Sequence, residues 1–128
     1  MTGAPSPLKI KIQLYCGDEI AMGPVKADLL DAIEREGSIS AAGRALGMSY
    51  RRTWMLVDAM NRCWDSPLVE TLAGGSHGGG ARVTPQGKAV LTQYRALQDA
   101  ASSAADSPSW SALRTTLRDT PLRVQKAG

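Results

Sequence analysis

Two stretches of the chain combine polar side chains in spacings that could do chemistry. In the first, five residues at the start of a helical pattern follow one another: Ser49, Tyr50, Arg51, Arg52 and Thr53. Arginine can hold phosphate or bond O6 and N7 of guanine, and Tyr and Thr supply hydrogen bonds and methyl contacts. Successive helical residues point about 100° apart. We therefore expect one arginine to read a base and the other to grip the nucleic-acid backbone; solvated surface charge is the alternative.

The second stretch is GGSHGGGA at residues 74–81, with five glycines and the chain's only histidine. It lacks the G-x-x-x-x-G-K-[ST] pattern of a phosphate-binding loop. Residues 68–72 and 81–83 read as short strands that can pair around it, which predicts a hairpin tip rather than a linker. Glycine keeps such a tip slim enough to approach a minor groove or a phosphate. Its candidate contacts are Ser76, His77 and Arg82.

The composition excludes several classes of protein. The sequence has 128 residues and a net charge of +3, enough for one core. Cys16 and Cys63 lie far apart and in no metal-ligand spacing, so we expect two free thiols in a reducing cytoplasm. His77 has no partner to orient it, and neither paired carboxylates nor a catalytic triad can be assembled. We therefore predict no enzyme, no catalytic residue, no metal, no cofactor and no membrane segment.

Hydrophobic patterning predicts the elements that must position these residues. Residues 1–7 read as a disordered lead, and strict alternation over residues 8–15 predicts a strand followed by a turn at 16–23. Helices are expected from Val25 to a C-cap at Gly37, from about Ser40 to Gly47, and from Tyr50 to about Cys63. Ser38 or Ser40 would cap the second helix, and Ser49 the third.

The region after the predicted hairpin completes the fold class. Thr84 and Pro85 read as the N-cap and first residue of a long helix to about residue 105. Its apolar stripe is wide enough for half of it to face a second copy, unless residues 109–119 fold back over it. Residues 106–128 read as a tail with a possible short helix. The prediction is a mainly α protein with a small β-hairpin: a winged helix-turn-helix over residues 8–105.

Small residues fit the close helix crossing that this motif needs. Ala42 and Gly43 lie at the expected contact, and Gly47 permits a left-handed turn. Trp54 and Trp64 follow the apolar stripe, so we expect both in the core. Basic residues outnumber acidic ones between residues 40 and 64, which is typical of a face that meets a polyanion. We add Ser40, at the start of the second helix, to the candidate DNA contacts.

At these motifs the chain resembles the N-terminal DNA-binding domain of the ModE-type molybdate-responsive regulators, with a looser likeness to the LysR-type helix-turn-helix. The resemblance covers roughly residues 20–105. It rests on the SYRRTW start of the third helix, the GGSHGGGA tip and the TPQG start of the last helix. It implies recognition by residues 49–54, a wing at 74–82, and a homodimer packed through the N-terminal strand or helix and the long final helix.

Those regulators continue into molybdate-binding β-barrels, whereas this sequence ends at Gly128. We therefore expect oxyanion sensing not to carry over: the chain binds DNA constitutively, with a partner, or in response to another signal. The sequence predicts a sequence-specific, duplex-DNA-binding transcriptional regulator, with residues 49–63 in the major groove and the wing on the backbone or minor groove. The alternative is a winged-helix module that docks an acidic partner or a cofactor-enzyme subunit.

Overall fold

The computed structural model describes residues 6–72 and 79–125, and it confirms the mainly α winged helix-turn-helix class. Within these ranges the elements are β1 (Leu14–Cys16), β2 (Glu19–Met22), α1 (Pro24–Glu36), α2 (Ile39–Ala45), α3 (Tyr50–Cys63), β3 (Val69–Thr71), β4 (Ala81–Val83), α4 (Pro85–Ser102), a 3-10 turn (Ser103–Asp106) and α5 (Pro108–Thr116). β1 pairs antiparallel with β2, and β3 with β4. Among these residues, no helix combines the length and apolarity needed to cross a bilayer.

The predicted N-terminal strand is wrong in extent. Only Leu14–Cys16 is β-strand, and the stretch expected to be a turn instead returns as β2 through Gly17, which has φ 60°. Among the residues that the structure describes, no strand pairs with residues 8–13 despite their alternation, and Ile10 is 43% exposed. This segment is held by a side chain instead, because the Tyr94 hydroxyl donates a 2.8 Å hydrogen bond to the Ile12 carbonyl.

The turns between the first three helices follow the local sequence. Gly37 ends α1 in the left-handed region with φ 77°, and its N–H donates to the Ile33 carbonyl at 2.8 Å. Ser38 caps α2 by accepting from the Ala41 N–H at 3.0 Å, so Ser40 lies inside the first turn and is not the cap. Gly47 has φ 72°, as the tight turn requires.

The core lies where α1 meets α3, the β3–β4 hairpin and α4. Its largest fully buried side chains are Met22, Leu29, Leu30, Ile33, Met60, Leu68 and Tyr94. Trp64 packs against this core half-buried, and its Nε1–H donates to the Ala21 carbonyl at 3.1 Å. The prediction of Trp54 in the core is wrong: the residue is 36% exposed. The apolar stripe of α3 passes instead through Val57 and Met60.

The long helix α4 is covered along only part of its apolar stripe. Leu91 and Tyr94 are buried, Val90 and Ala101 are half-buried, and Leu97 is 45% exposed. A short helix does follow, α5, but none of its residues is buried. An open apolar groove of about 270 Å³ therefore remains, which we call the α4 groove. Its lining includes Leu14, Trp64, Val90, Gln93, Tyr94 and Leu97.

Candidate nucleic-acid interface

The crossing of α2 and α3 is built on a glycine. A Cβ at Gly43 would overlap the Thr53 hydroxyl and lie 3.0 Å from its Cβ and Cγ2. Thr53 is itself fully buried, and its hydroxyl donates a 2.7 Å hydrogen bond to the Ser49 carbonyl. The structure therefore contradicts the prediction that Thr53 contacts DNA. Its side chain packs the two helices together and fixes the angle at which α3 is presented.

The first turn of α3 is capped and open to solvent. The Ser49 hydroxyl accepts a hydrogen bond from the Arg52 N–H at 3.1 Å, satisfying one N–H group of the helix start. Tyr50 is 68% exposed, and Arg51 and Arg52 are also exposed. The Tyr50 and Trp54 rings lie 6.1 Å apart at 59°, so an aromatic pair borders the arginines. This end of the helix thus presents hydrogen-bond donors and flat apolar surface together.

Fewer arginines of α3 carry unpaired positive charge than the count from the sequence suggests. Arg62 donates to both carboxylate oxygens of Glu19, at 2.7 and 3.0 Å, and to Asp58 at 2.8 Å. These hydrogen bonds, led by the pair with Glu19, raise the pKa of Arg62 above its ordinary value. Within residues 6–72 and 79–125, Arg51 and Arg52 form no such pairs. The uncompensated charge is thus at the start of α3 and not at its end.

Lys26, in the first turn of α1, is a buried cation. It is only 8% exposed, and burial lowers its pKa. The nearby positive charge of Arg52 lowers that pKa further, while Cys63 and Glu19 act in the opposite direction.

The β3–β4 hairpin, which carries the wing at its tip, is anchored to the helix-turn-helix. Its strands place Glu70 opposite Arg82, and the Arg82 Nε donates to the Glu70 carboxylate at 2.6 Å. The Ala81 N–H donates to the Gly37 carbonyl at 2.9 Å, and a Cβ at Gly80 would come within 3.0 Å of that carbonyl oxygen. Glycine at position 80 therefore permits the close approach. The predicted contacts Ser76 and His77 lie outside the described residues.

A cleft of about 250 Å³ separates α3 from the base of the wing. Ser38 and Ser40 line it from the start of α2, and Tyr50 and Trp54 line it from α3. Gly80 closes it on the hairpin side. Ser40, half-buried here, and Tyr50 are thus brought to one surface, next to the exposed arginines. Arg82 lies on the neighbouring strand with its charge paired.

Asn61 positions the hairpin, a role that was not predicted from the sequence. Its amide oxygen accepts from the N–H groups of Leu68 and Val69 at 2.9 and 3.1 Å, and its amide nitrogen donates to the Val69 carbonyl at 3.0 Å. An asparagine within an apolar helical pattern is the only signal that could have indicated it. Asn61 is half-buried, and its amide oxygen and nitrogen both find partners, as polar groups removed from water require.

The TPQG sequence ties α4 to the same hairpin. The Thr84 hydroxyl accepts from the Gly87 N–H at 2.9 Å and donates to the Pro67 carbonyl at 2.7 Å. A Cβ at Gly87 would press against the Leu68 carbonyl, so glycine lets α4 pack directly on the strand. The capping role predicted for Thr84 is confirmed. The close approach of the Leu68 carbonyl explains why the motif has glycine at position 87.

The architecture is a winged helix-turn-helix: a tight turn between α2 and α3, an exposed basic start of α3 and a hairpin beside it. Residues 26–88 match the family described as "Bacterial regulatory helix-turn-helix protein, lysR family". This part of the chain is thus similar to the helix-turn-helix domains of the LysR family. Among the described residues, no group of three or more His, Cys, Asp or Glu side chains is arranged to hold a metal ion.

Curated relatives point to the same class. The chain is 42% identical over 86 residues to the "Molybdenum transport protein ModE" of Azotobacter vinelandii, covering 67% of this chain and 32% of the relative. It is 46% identical over 77 residues to the "Molybdenum-pterin-binding protein MopB" of Rhodobacter capsulatus, covering 60% and 28%. With the "DNA-binding transcriptional dual regulator ModE" of Escherichia coli K12 it shares 32% identity over 98 residues, covering 77% and 37%. The chain thus spans about a third of the length of these relatives.

Proposed function

We propose that this chain is a transcriptional regulator that binds duplex DNA sequence-specifically, with α3 in the major groove. One observation carries the proposal: Tyr50, Arg51 and Arg52 are exposed on the capped first turn of α3, and both arginines lack ion-pair partners among the described residues. Arginine at the start of a recognition helix can read guanine or hold phosphate. The helix-turn-helix family and the name of the Escherichia coli relative support this function.

The positions of the side chains suggest a division of roles. Because successive residues of a helix point about 100° apart, Arg51 and Arg52 cannot both face the bases; we assign Arg52 to the DNA backbone and Arg51 to a base edge. Ser49 and Ser40, at the starts of α3 and α2, lie where helix N-termini favour phosphate oxygens. Ser76, His77 and Arg82 would contact backbone or minor groove from the wing. For Arg82 this requires that a DNA phosphate replace the Glu70 carboxylate as its ion-pair partner.

We further propose that two copies pair through the α4 groove and act in the cytoplasm on a two-fold operator. The groove is apolar and open, and Leu97 at its edge is 45% exposed. No residue of α5 is buried and none lines the α4 groove, so this helix leaves the groove uncovered. A symmetric dimer would present two α3 helices to successive turns of one face of the duplex.

Fluorescence anisotropy tests the DNA proposal. The protein is titrated against a labelled duplex carrying its own upstream region and against a scrambled duplex, at low and physiological salt. We expect a preference of roughly a thousandfold for the upstream duplex that survives physiological salt. Equal binding to both duplexes, abolished by salt, would contradict sequence-specific recognition at that site and favour a protein partner.

Substitutions assign the contacts. Arg51→Ala should weaken specific binding by about 5- to 150-fold and relax the preference at one base pair, while Arg52→Ala weakens binding to every duplex. Arg114→Ala is the matched control, because it removes the same charge from an exposed position on α5. Unchanged binding by both single variants and by the double variant would refute the role of α3.

Analytical ultracentrifugation tests the dimer separately. Leu97→Lys places a charge at the edge of the α4 groove and should shift the chain to monomers. Leu113→Lys, at an exposed leucine of α5, is the control and should leave the association unchanged. A monomeric wild-type chain at micromolar concentration would refute the dimer without affecting the assignment of the DNA contacts.

A further inference from the structure

The C-terminal end of α3 is fastened to the N-terminal hairpin on both sides of Cys63. Arg62, the preceding residue, holds the Glu19 carboxylate with two hydrogen bonds of 2.7 and 3.0 Å. Trp64, the following residue, donates to the Ala21 carbonyl at 3.1 Å. Two independent attachments to β2 therefore fix the backbone on either side of this thiol.

These attachments place Cys63 beside the hairpin that carries Cys16. Cys16 ends β1 and lies opposite Glu19 in the hairpin register, next to the carboxylate that Arg62 grips. Burial, together with a hydrogen bond and charge interaction with Cys16, raises the pKa of the Cys63 thiol. Both cysteines are free, Cys16 exposed and Cys63 half-buried. The hairpin register and the Arg62–Glu19 bonds thus bring two cysteines that are distant in sequence beside one carboxylate, with Cys16 exposed to solvent.

We propose that Cys16 and Cys63 are a redox modification site, which a hydroperoxide converts into an intrachain disulfide. The exposed Cys16 thiolate attacks the hydroperoxide: an S–O bond forms, the O–O bond breaks, and the other oxygen leaves as water or alcohol after taking a proton. The Cys63 sulfur then attacks the sulfenic sulfur. An S–S bond forms, the hydroxyl leaves, and with the Cys63 proton it makes water. Two thiols lose two electrons and the hydroperoxide gains them.

The disulfide would close a covalent loop from residue 16 to residue 63, and this loop contains α1, α2 and α3. It would therefore enclose the entire helix-turn-helix and lock the end of the recognition helix to β1. Disulfides in cytosolic proteins are usually transient and redox-sensing, which suits a reversible pair near the surface. This inference is independent of the proposed DNA binding.

Mass spectrometry of the full chain tests the pair. The protein is exposed to hydrogen peroxide, quenched with an alkylating reagent and examined intact and after proteolysis. We expect a mass loss of about 2 Da for the two hydrogens removed, simultaneous protection of both cysteines from alkylation, and one linked peptide pair. Dithiothreitol should reverse all three changes.

Two variants serve as controls. Cys63→Ser should leave Cys16 without a resolving thiol, so Cys16 proceeds to sulfinic acid with a gain of two oxygens. Cys16→Ser changes an exposed residue and leaves the core intact, and Cys63 should then stay alkylatable. The proposal is overturned if wild-type Cys16 oxidises to sulfinic acid as readily as in Cys63→Ser while Cys63 remains free. Linkage between two chains on a non-reducing gel would overturn it equally.

Discussion

Gly43→Ala tests the close crossing of α2 and α3. The added Cβ would overlap the Thr53 hydroxyl and lie 3.0 Å from both the Cβ and the Cγ2 of that residue. Turning the threonine side chain moves its hydroxyl and methyl groups but leaves its Cβ 3.0 Å from the added carbon, because that Cβ is fixed to the backbone of α3. The residue is fully buried and its hydroxyl is bonded to the Ser49 carbonyl at 2.7 Å. The clash must therefore push α2 away from α3.

The magnitude follows from two opposing effects. Overpacking a core lowers the free energy of unfolding by about 1–3 kcal/mol. Because the added carbon meets three atoms of a buried side chain, we take the upper value, about 3 kcal/mol. Alanine is a better helix former than glycine by about 1 kcal/mol, which offsets part of the cost. The net expectation is a loss of about 2 kcal/mol in the free energy of unfolding. For a chain of this size, that lowers Tm by about 8 °C.

A double-mutant cycle makes the test specific. Urea and thermal unfolding, followed by circular dichroism, are measured for the wild type, Gly43→Ala, Thr53→Ala and the double variant. Because Thr53→Ala removes the overlapping hydroxyl and methyl groups, the double variant should be more stable than additivity predicts by more than about 1 kcal/mol. If Gly43→Ala is as stable as the wild type and the cycle is additive, the crossing is looser than described and the reasoning fails.

Three further predictions concern what holds the wing and the N-terminal segment. Asn61→Ala removes three hydrogen bonds at the start of β3 and should cost about 2 kcal/mol, seen as a lower urea midpoint; an unchanged midpoint would refute its anchoring role. Gly87→Ala drives a Cβ onto the Leu68 carbonyl and should cost more than about 2 kcal/mol; wild-type thermal stability would contradict the close packing. Tyr94→Phe keeps the ring but removes the bond to Ile12, so limited proteolysis should cut residues 6–13 faster, and wild-type cleavage rates would rule out this anchor.

The parts of the fold that could be predicted from the sequence depend on local rules. Gly37 and Gly47 adopt the left-handed conformation that ends or turns a helix, and Ser49 caps the helix that follows it. The Thr84 cap and the β3–β4 hairpin were likewise predictable from a few neighbouring residues. Each cap and turn is decided within about five positions, and the hairpin by two strands that are neighbours in the sequence, so tertiary contacts do not override them.

The errors arise where a distant contact decides the outcome. Thr53 has a type suited to a DNA contact, but Gly43 on another helix leaves the space that buries it. The alternation of residues 8–13 fits a strand, yet the structure provides no partner strand for them. Cys16 and Cys63 meet only because the end of α3 is attached to β2. Periodicity and spacing carry no information on such long-range pairings.

The internal ion pairs of Arg62 and Arg82 bear on how quickly a DNA-binding chain can search a genome. Both arginines are matched by carboxylates of their own chain, so each displaces fewer counterions from DNA than an unpaired cation would. If Arg52 is the main charged phosphate contact while Arg51 reads a base edge, the logarithm of affinity should fall with the logarithm of salt concentration with a slope of about −1 per chain. Dwell times at wrong sites would then be short. Residence on the genome would be governed by the fit of α3 to its operator and only weakly by charge.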